Sequence, residues 1–152
     1  MKYQQEFLTK VKSESLGLIA EHYEELSSDK DLYELNPRWE DYEHLELLNL
    51  LRLFTVRTDE GVLVGYLLAT LQPAPHHNDT LFSHAHAMFL RKSFRKGFTG
   101  INLIKFAEDC LKSDGVDKMF ITTKVKSDFP QLMKRLGYSP DEITYSKNIG
   151  AF

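Results

Sequence analysis

The stretch Met88–Gly100 contains residues whose types and spacing suit the binding of a phosphate group. Four basic residues and two glycines lie there, between an apolar run and a helical pattern. The first N–H groups of a helix lack an intrahelical acceptor, and the helix dipole is positive there, so a helix start attracts anions. Glycine lets the backbone approach phosphate oxygens, and Arg or Lys adds charge-assisted hydrogen bonds. An ordinary turn with solvated lysines would have the same composition.

Two histidines precede this stretch with a spacing that places both on one face of a strand. His84 and His86 are two residues apart, and strand side chains alternate between faces. Histidine titrates near neutral pH, so either ring could accept a proton. A strand histidine can equally form a structural hydrogen bond. His76 and His77 lie nearby, but no cysteine or fixed ligand spacing accompanies the four histidines, so we predict no metal site.

Hydrophobic spacing predicts the elements that position these residues. Apolar residues at three- and four-residue steps indicate helices, and two runs of β-formers around the turn Asp59–Gly61 indicate a hairpin. The predicted helices cover 7–26, 39–50, 101–113 and 127–136, and the predicted strands cover 51–58, 62–72, 81–90, 119–125 and 143–149. The predicted order is therefore α-α-β-β-β-α-β-α-β.

Composition and charge narrow the class of protein. The chain has 152 residues, 42% of them apolar and 27% charged, which favours a single folded domain over residues 1–152. Its net charge of −3 argues against a nucleic-acid partner. No apolar run approaches the roughly 20 residues that span a bilayer, and no signal peptide opens the chain. With a single cysteine, Cys110, we expect a cytoplasmic protein without a disulfide framework.

The loop and the segments after it resemble the GNAT family of N-acetyltransferases. Leu90 and Arg95 have the family's spacing between an apolar strand end and a basic residue, and a glycine-containing turn into a helix follows. Leu136-Gly137-Tyr138 is similar to the family's turn after its short helix. The loop has the form R-x-G-x-x-G instead of R-x-x-G-x-G, which resembles phage and prophage members. The resemblance implies the GNAT fold, a mixed and mostly antiparallel sheet flanked by helices.

The resemblance also implies the cofactor, acetyl-coenzyme A, and the reaction, acetyl transfer to a primary amine of a small molecule, peptide or protein. The strand end would bind pantetheine through its backbone, and the loop would bind pyrophosphate. The residues so assigned are Met88, Phe89, Leu90, Arg95, Lys96, Gly97, Phe98, Thr99 and Gly100, with Ser127 and Phe129.

Acetyl transfer needs a neutral amine, and an amine with a pKa of about 10.4 is neutral only about once in a few thousand molecules at pH 7. A base therefore helps. His86, or else His84, is the predicted base, as in arylalkylamine N-acetyltransferases, where two histidines precede the same strand end. The family's usual tyrosine acid corresponds to Met133, so Tyr145 on the predicted last strand, or Tyr138, is the alternative acid.

The acidic N-terminal half is the predicted acceptor side. In the family, the first two helices border the acceptor, and Tyr33 and Trp39 among acidic residues would attract a cationic amine. A solvated helix face explains most of these acids equally well. The alternative function is a catalytically weak, phage-type binding protein that acts through protein contacts. A homodimer is compatible with either function.

Overall fold

The computed structural model describes residues 1–150, and residues 151 and 152 of the predicted domain lie outside this range. One five-stranded sheet has the order β1-β2-β3-β4-β5, antiparallel throughout except for the parallel pair β4–β5. The elements are β1 (Lys2–Glu6), α1 (Leu8–Leu26), α2 (Trp39–Leu47), β2 (Leu51–Arg57), β3 (Leu63–Pro73), β4 (Leu81–Leu90), α3 (Thr99–Ser113), β5 (Lys118–Ile121) and α4 (Pro130–Arg135). This confirms the mixed, mostly antiparallel sheet flanked by helices.

Two hydrophobic cores lie on opposite faces of the sheet. On one face, Leu103, Ile104 and other residues of α3 pack against alternate residues of β2, β3 and β4. On the other face, α1 and α2 pack against the intervening residues of the same strands, including Phe89. Because successive strand residues point to opposite faces, each strand serves both cores, and the central strands β2 and β3 are almost fully buried.

The structure adds an N-terminal strand that the hydrophobic pattern did not predict. β1 pairs antiparallel with β2, with Lys2 opposite Arg57 and Glu6 opposite Leu53. Its sequence, Lys-Tyr-Gln-Gln-Glu, has only Tyr3 packed against a core. An edge strand gains its hydrogen bonds from one neighbour and needs no apolar alternation when it buries little surface. The element order therefore begins with a strand.

The predicted strand over 143–149 is wrong. Residues 138–150 have no regular secondary structure, and Ile143, Tyr145 and Ile149 are largely exposed. Residues of high β-propensity form a strand only where a neighbouring strand and a buried surface are available to them. Other elements are shorter than predicted: α2 ends at Leu47, β5 ends at Ile121, and α4 begins only at Pro130.

No helix among residues 1–150 combines the length and the apolar character needed to cross a bilayer.

Gly65 fixes the distance between β3 and the end of β4. A Cβ atom at this position would lie 2.9 Å from the carbonyl oxygen of Phe89 and 2.6 Å from a methyl carbon of Leu90. We therefore expect Gly65→Ala to lower the free energy of unfolding by about 1–3 kcal/mol, the usual cost of overpacking. Urea denaturation followed by circular dichroism measures this change.

Gly17 provides the matched control for Gly65. It lies within α1, and a Cβ atom there would meet nothing within 4 Å. Gly17→Ala should raise the free energy of unfolding by about 0.5–1 kcal/mol, because alanine loses less backbone entropy in a helix. Equal effects of the two substitutions would contradict the steric role of Gly65.

Candidate active site

β4 separates from its neighbour β5 halfway along its length. The two strands pair only from Phe82 to Ala85, and one further hydrogen bond joins the Thr122 N–H to the Ala85 oxygen at 3.1 Å. On the other side of β4, Ala85 and Ala87 pair with consecutive residues of β3, so His86 is the extra residue of a β-bulge. Beyond the bulge, β4 has no strand partner on its β5 side among residues 1–150. A gap therefore opens beside the second half of β4.

The loop at the end of this gap leads into the first turn of α3. Gly97 has a φ of +67°, a left-handed conformation that glycine adopts without strain. α3 begins at Thr99 with neither a side-chain cap nor an acidic residue in its first turn. Within the described chain, no protein group accepts a hydrogen bond from the backbone N–H groups of residues 97–101. These exposed donors at the positive end of a helix can bind an anion.

The guanidinium of Arg95 is already paired with α1. Its Nε donates to the Leu90 carbonyl oxygen at 2.6 Å, and its two terminal nitrogens donate to the Glu25 carboxylate at 2.6 and 2.8 Å. The hydrogen bond from Arg95 lowers the pKa of Glu25. Arg91 forms a similar pair with Glu21, one helical turn earlier, at 2.9 Å. The two arginines therefore anchor the loop to α1.

His84 and His86 lie side by side on the face of the sheet against which α1 and α2 pack. The rings of His84 and His86 stack with centroids 5.9 Å apart, and the His84 ring also stacks on Phe120 at 4.7 Å. The Nε2 atom of His86 forms a 2.9 Å hydrogen bond with Oγ1 of Thr70. Burial, followed by the charge of His84, lowers the pKa of His86. His86 is therefore held mainly in its neutral form at pH 7.

A pocket of about 260 Å³ lies on the same face, between α1, α2 and the sheet. Its floor includes Leu68 and Ala87, and Ala87 directly follows the bulge residue His86. Of the two residues predicted to bind the acceptor, Trp39 lines this pocket, whereas Tyr33 is not among the lining residues, and its hydroxyl donates to Oδ1 of Asn148 at 3.3 Å. The remaining walls are mostly apolar and aromatic, and they include Tyr23, Tyr42 and Tyr66.

His22 is a further candidate that the sequence analysis missed. Its Nδ1 atom is 2.6 Å from the Tyr66 hydroxyl oxygen, and its ring stacks on Phe89 with centroids 4.9 Å apart. Burial lowers the pKa of His22 and raises that of Tyr66. A signal was present, because His22 lies midway between Leu18 and Leu26 at four-residue steps, on the apolar stripe of α1.

This buried histidine should make stability depend on pH. The folded pKa of His22 is depressed, so its contribution is complete above the unfolded value of about 6.5 and is lost as pH falls through the folded pKa. We expect the free energy of unfolding to fall between pH 7.5 and 5.5. His22→Phe, which keeps the stacking, should show a smaller fall. Urea titrations at several pH values measure both slopes, and identical slopes would contradict this role.

The remaining predicted residues lie in different surroundings. Tyr145 is 89% exposed and outside any strand, so its predicted place on a final strand is wrong. Tyr138 donates to Glu108 at 2.7 Å, and burial raises its pKa, so it is a packing residue. Ser127 and Phe129 follow β5 at the Leu90 end of the sheet, beyond the point where the strands separate.

His76 and His77 line a separate surface pocket in the β3–β4 hairpin, at the opposite end of β4 from the loop. Among residues 1–150, no group of three or more His, Cys, Asp or Glu side chains is arranged to hold a metal ion.

Neither a protein-family model nor a curated protein sequence matches this chain. Its structure does resemble solved structures along almost its whole length. The ribosomal-protein-alanine N-acetyltransferase of Brucella melitensis biovar Abortus 2308 has a TM-score of 0.73 at 17% identity, covering 98% of this chain and 100% of that one. Glucosamine-6-phosphate N-acetyltransferase of Arabidopsis thaliana has a TM-score of 0.72 at 15% identity, covering 99% and 100%.

A third similar structure is an aminoglycoside acetyltransferase from an uncultured soil metagenomic sample, with a TM-score of 0.74 at 16% identity, covering 98% of each chain. The chain has the GNAT acetyltransferase fold. At these identities the likeness concerns the fold alone, and the three proteins differ in the acceptors that their names state.

Proposed function

We propose that this GNAT-fold protein is a single-domain, cytoplasmic N-acetyltransferase that transfers an acetyl group from acetyl-coenzyme A to a primary amine. The observation that carries the proposal is the separation of β4 from β5 at the His86 bulge. It leaves the β5 side of the second half of β4 without a strand partner among residues 1–150, next to His86 and to Ala87 of the pocket lining.

The donor would occupy the gap and the start of α3. The second half of β4, Met88–Leu90, offers its free edge to pantetheine, and the N–H groups of residues 97–100 face the position of a pyrophosphate. Lys92 and Lys96 are exposed beside them and add positive charge. Ser127 and Phe129 border the gap from the β5 side in this proposal. Acetyl-coenzyme A supplies the acetyl group as a thioester.

Donor and acceptor would approach from opposite faces of the sheet. α3 packs on one face, whereas the 260 Å³ pocket lies under α1 and α2 on the other. They meet at β4, where Ala87 belongs both to the pocket floor and to the strand that borders the gap. This arrangement favours direct transfer between two bound substrates, because proximity and orientation are then provided by one strand.

His86 is the proposed base. If its Nε2–H group donates to Thr70, the Nδ1 atom keeps the lone pair that accepts a proton from the amine, directly or through water. The lowered pKa keeps this nitrogen unprotonated at pH 7. Met133 has no proton to donate and Tyr145 is exposed, so water is the proposed proton source for the leaving sulfur.

Ligand-dependent stability tests the proposal. Acetyl-coenzyme A at 100 times its Kd should raise the free energy of unfolding by about 2.7 kcal/mol. Thermal unfolding with a series of ligand concentrations measures the effect, and adenosine 5′-monophosphate serves as the control that lacks pantetheine. No shift at millimolar acetyl-coenzyme A would contradict the proposed function.

Two observations favour the second candidate, a GNAT-fold protein of low catalytic activity that binds another protein. Arg95 is engaged by Glu25, and the position of the usual tyrosine acid is Met133. The two candidates differ in turnover. Release of free thiol in the presence of amines supports the enzyme, whereas saturable binding without thiol release supports the binding protein.

A further inference from the structure

We propose that the pocket under α1 and α2 selects primary monoamines whose body is an uncharged aromatic or branched aliphatic group. This inference rests on the proposed acetyltransferase function and names the acceptor class. Seventeen residues line the pocket. Most are aliphatic or aromatic, and Leu53, Leu63 and Leu68 line it from the sheet.

The hydroxyl groups in the walls are largely occupied by protein partners. Those of Ser15 and Tyr23 donate to the main-chain oxygens of Lys12 and Tyr33, that of Thr55 donates to the Glu6 carboxylate, and that of Tyr66 is bonded to His22. A polyhydroxylated body such as a sugar would find few groups in these walls to replace its hydrogen bonds to water. An apolar body has no such bonds to lose and gains from burial.

Charge further restricts the acceptor. Among residues 1–150, Glu34, on the segment between α1 and α2, is the only charged residue of the lining, and no Lys, Arg or His lines the pocket. A phosphate or carboxylate on the acceptor would therefore be buried without a cation, beside a like charge. The ammonium form of a simple amine is attracted to the entrance by Glu34 and by the aromatic faces of Trp39 and Tyr23.

The size of the pocket limits the body to about one ring. A volume of about 260 Å³ lies below the roughly 300–1,000 Å³ of pockets that hold drug-sized ligands. A body that fills it extends to Ala87, next to His86.

A panel of amines tests the assignment. Phenethylamine should have a kcat/KM at least about 100-fold above those of glucosamine, glucosamine 6-phosphate and putrescine, because only its body matches the apolar walls. Thiol release on the full chain measures these ratios. Trp39 is the only tryptophan of the chain and lines the pocket, so its fluorescence reports phenethylamine binding even without turnover.

Two phenylalanine substitutions on α1 provide a matched pair. Ile19 lines the pocket, whereas Leu16 is exposed on another side of the same helix. Ile19→Phe should weaken phenethylamine binding at least about tenfold, because the added ring occupies the pocket. Leu16→Phe should leave it unchanged. Both variants should bind acetyl-coenzyme A as the wild type does, because neither substitution removes the ion pairs that hold Arg91 and Arg95 to α1.

The outcomes separate this inference from the proposed function. If acetyl-coenzyme A fails to bind, the proposed function itself is wrong. If it binds but a polyol or phosphorylated amine is preferred, or Trp39 fluorescence does not respond to phenethylamine, only the acceptor class is overturned. If Ile19→Phe alters the preference between acetyl- and hexanoyl-coenzyme A and not that between amines, the pocket belongs to the donor, and the inference is again overturned.

Discussion

Gly100→Asp is expected to weaken acetyl-coenzyme A binding by at least about 100-fold without destabilising the protein. Gly100 lies in the first turn of α3, and a Cβ atom there would meet only Cε of Met88, at the ordinary distance of 3.8 Å. A negative charge about 5 Å from a phosphate costs about 3 kcal/mol at an effective dielectric constant of about 20. The same charge stabilises the helix start by about 0.3–1 kcal/mol.

The isosteric, neutral variant Gly100→Asn is the control for this experiment. It has the same shape without the charge, so its affinity for acetyl-coenzyme A should lie close to that of the wild type. Isothermal titration calorimetry gives the affinities, and urea denaturation gives the stabilities. Wild-type affinity in both Gly100→Asp and Gly100→Asn would show that no phosphate lies at the start of α3. Unfolding of both variants would instead show that the first turn cannot accept a side chain.

His86→Ala should lower kcat by about 10²–10⁴-fold, the usual contribution of a general base, while the affinity for acetyl-coenzyme A stays unchanged. His84→Ala is the matched control on the same strand face, and it should have a smaller effect. His84 contacts His86 and Phe120, whereas only His86 is held by Thr70 beside the pocket. Steady-state rates with a saturating amine measure the difference. Full activity in His86→Ala would leave His22 as the next candidate.

The pH dependence of the rate gives a second readout for His86. The pKa of His86 is lowered from its usual 6.5, and the neutral ring is the active form. Activity should therefore be complete at pH 7 and should fall only below pH 6.5, as the ring becomes protonated. Thr70→Val removes the hydrogen-bond partner of His86 Nε2. It should lower kcat and should also shift the pH at which activity falls on the acidic side of the profile. If the acidic side of the pH profile is unchanged in Thr70→Val, Thr70 does not orient His86.

The local parts of the site were predictable because they are encoded by short-range patterns. The distance from Leu90 to Arg95 located the loop, and the turn Asp59–Gly61 located the hairpin that precedes β4. The spacing of His84 and His86 was also correct in placing both on one face. Each of these inferences depends on residues within ten positions of one another, where strand alternation and turn chemistry act directly.

The long-range parts could not be predicted from a single sequence. The pairs that link Arg95 to Glu25 and His22 to Tyr66 join residues 70 and 44 positions apart, and neither has a local signature. β1 has polar residues and depends on a partner more than 40 residues away. Conversely, the segment 143–149 has the composition of a strand but no neighbour to pair with. Whether such segments become strands depends on tertiary context.

Two ion pairs join α1, which packs on one face of the sheet, to the loop that precedes α3 on the other face. Glu21 and Glu25 hold Arg91 and Arg95 from the same helix whose earlier turns line the apolar pocket. Under the proposed function, a donor phosphate that drew Arg95 away would leave Glu25 without its cation and would loosen this end of α1. By thermodynamic linkage, an acceptor that favoured one position of α1 would then change the affinity for the donor by the same factor as the donor changes the affinity for the acceptor. The sign of that coupling would decide whether the two ligands strengthen or weaken each other's binding.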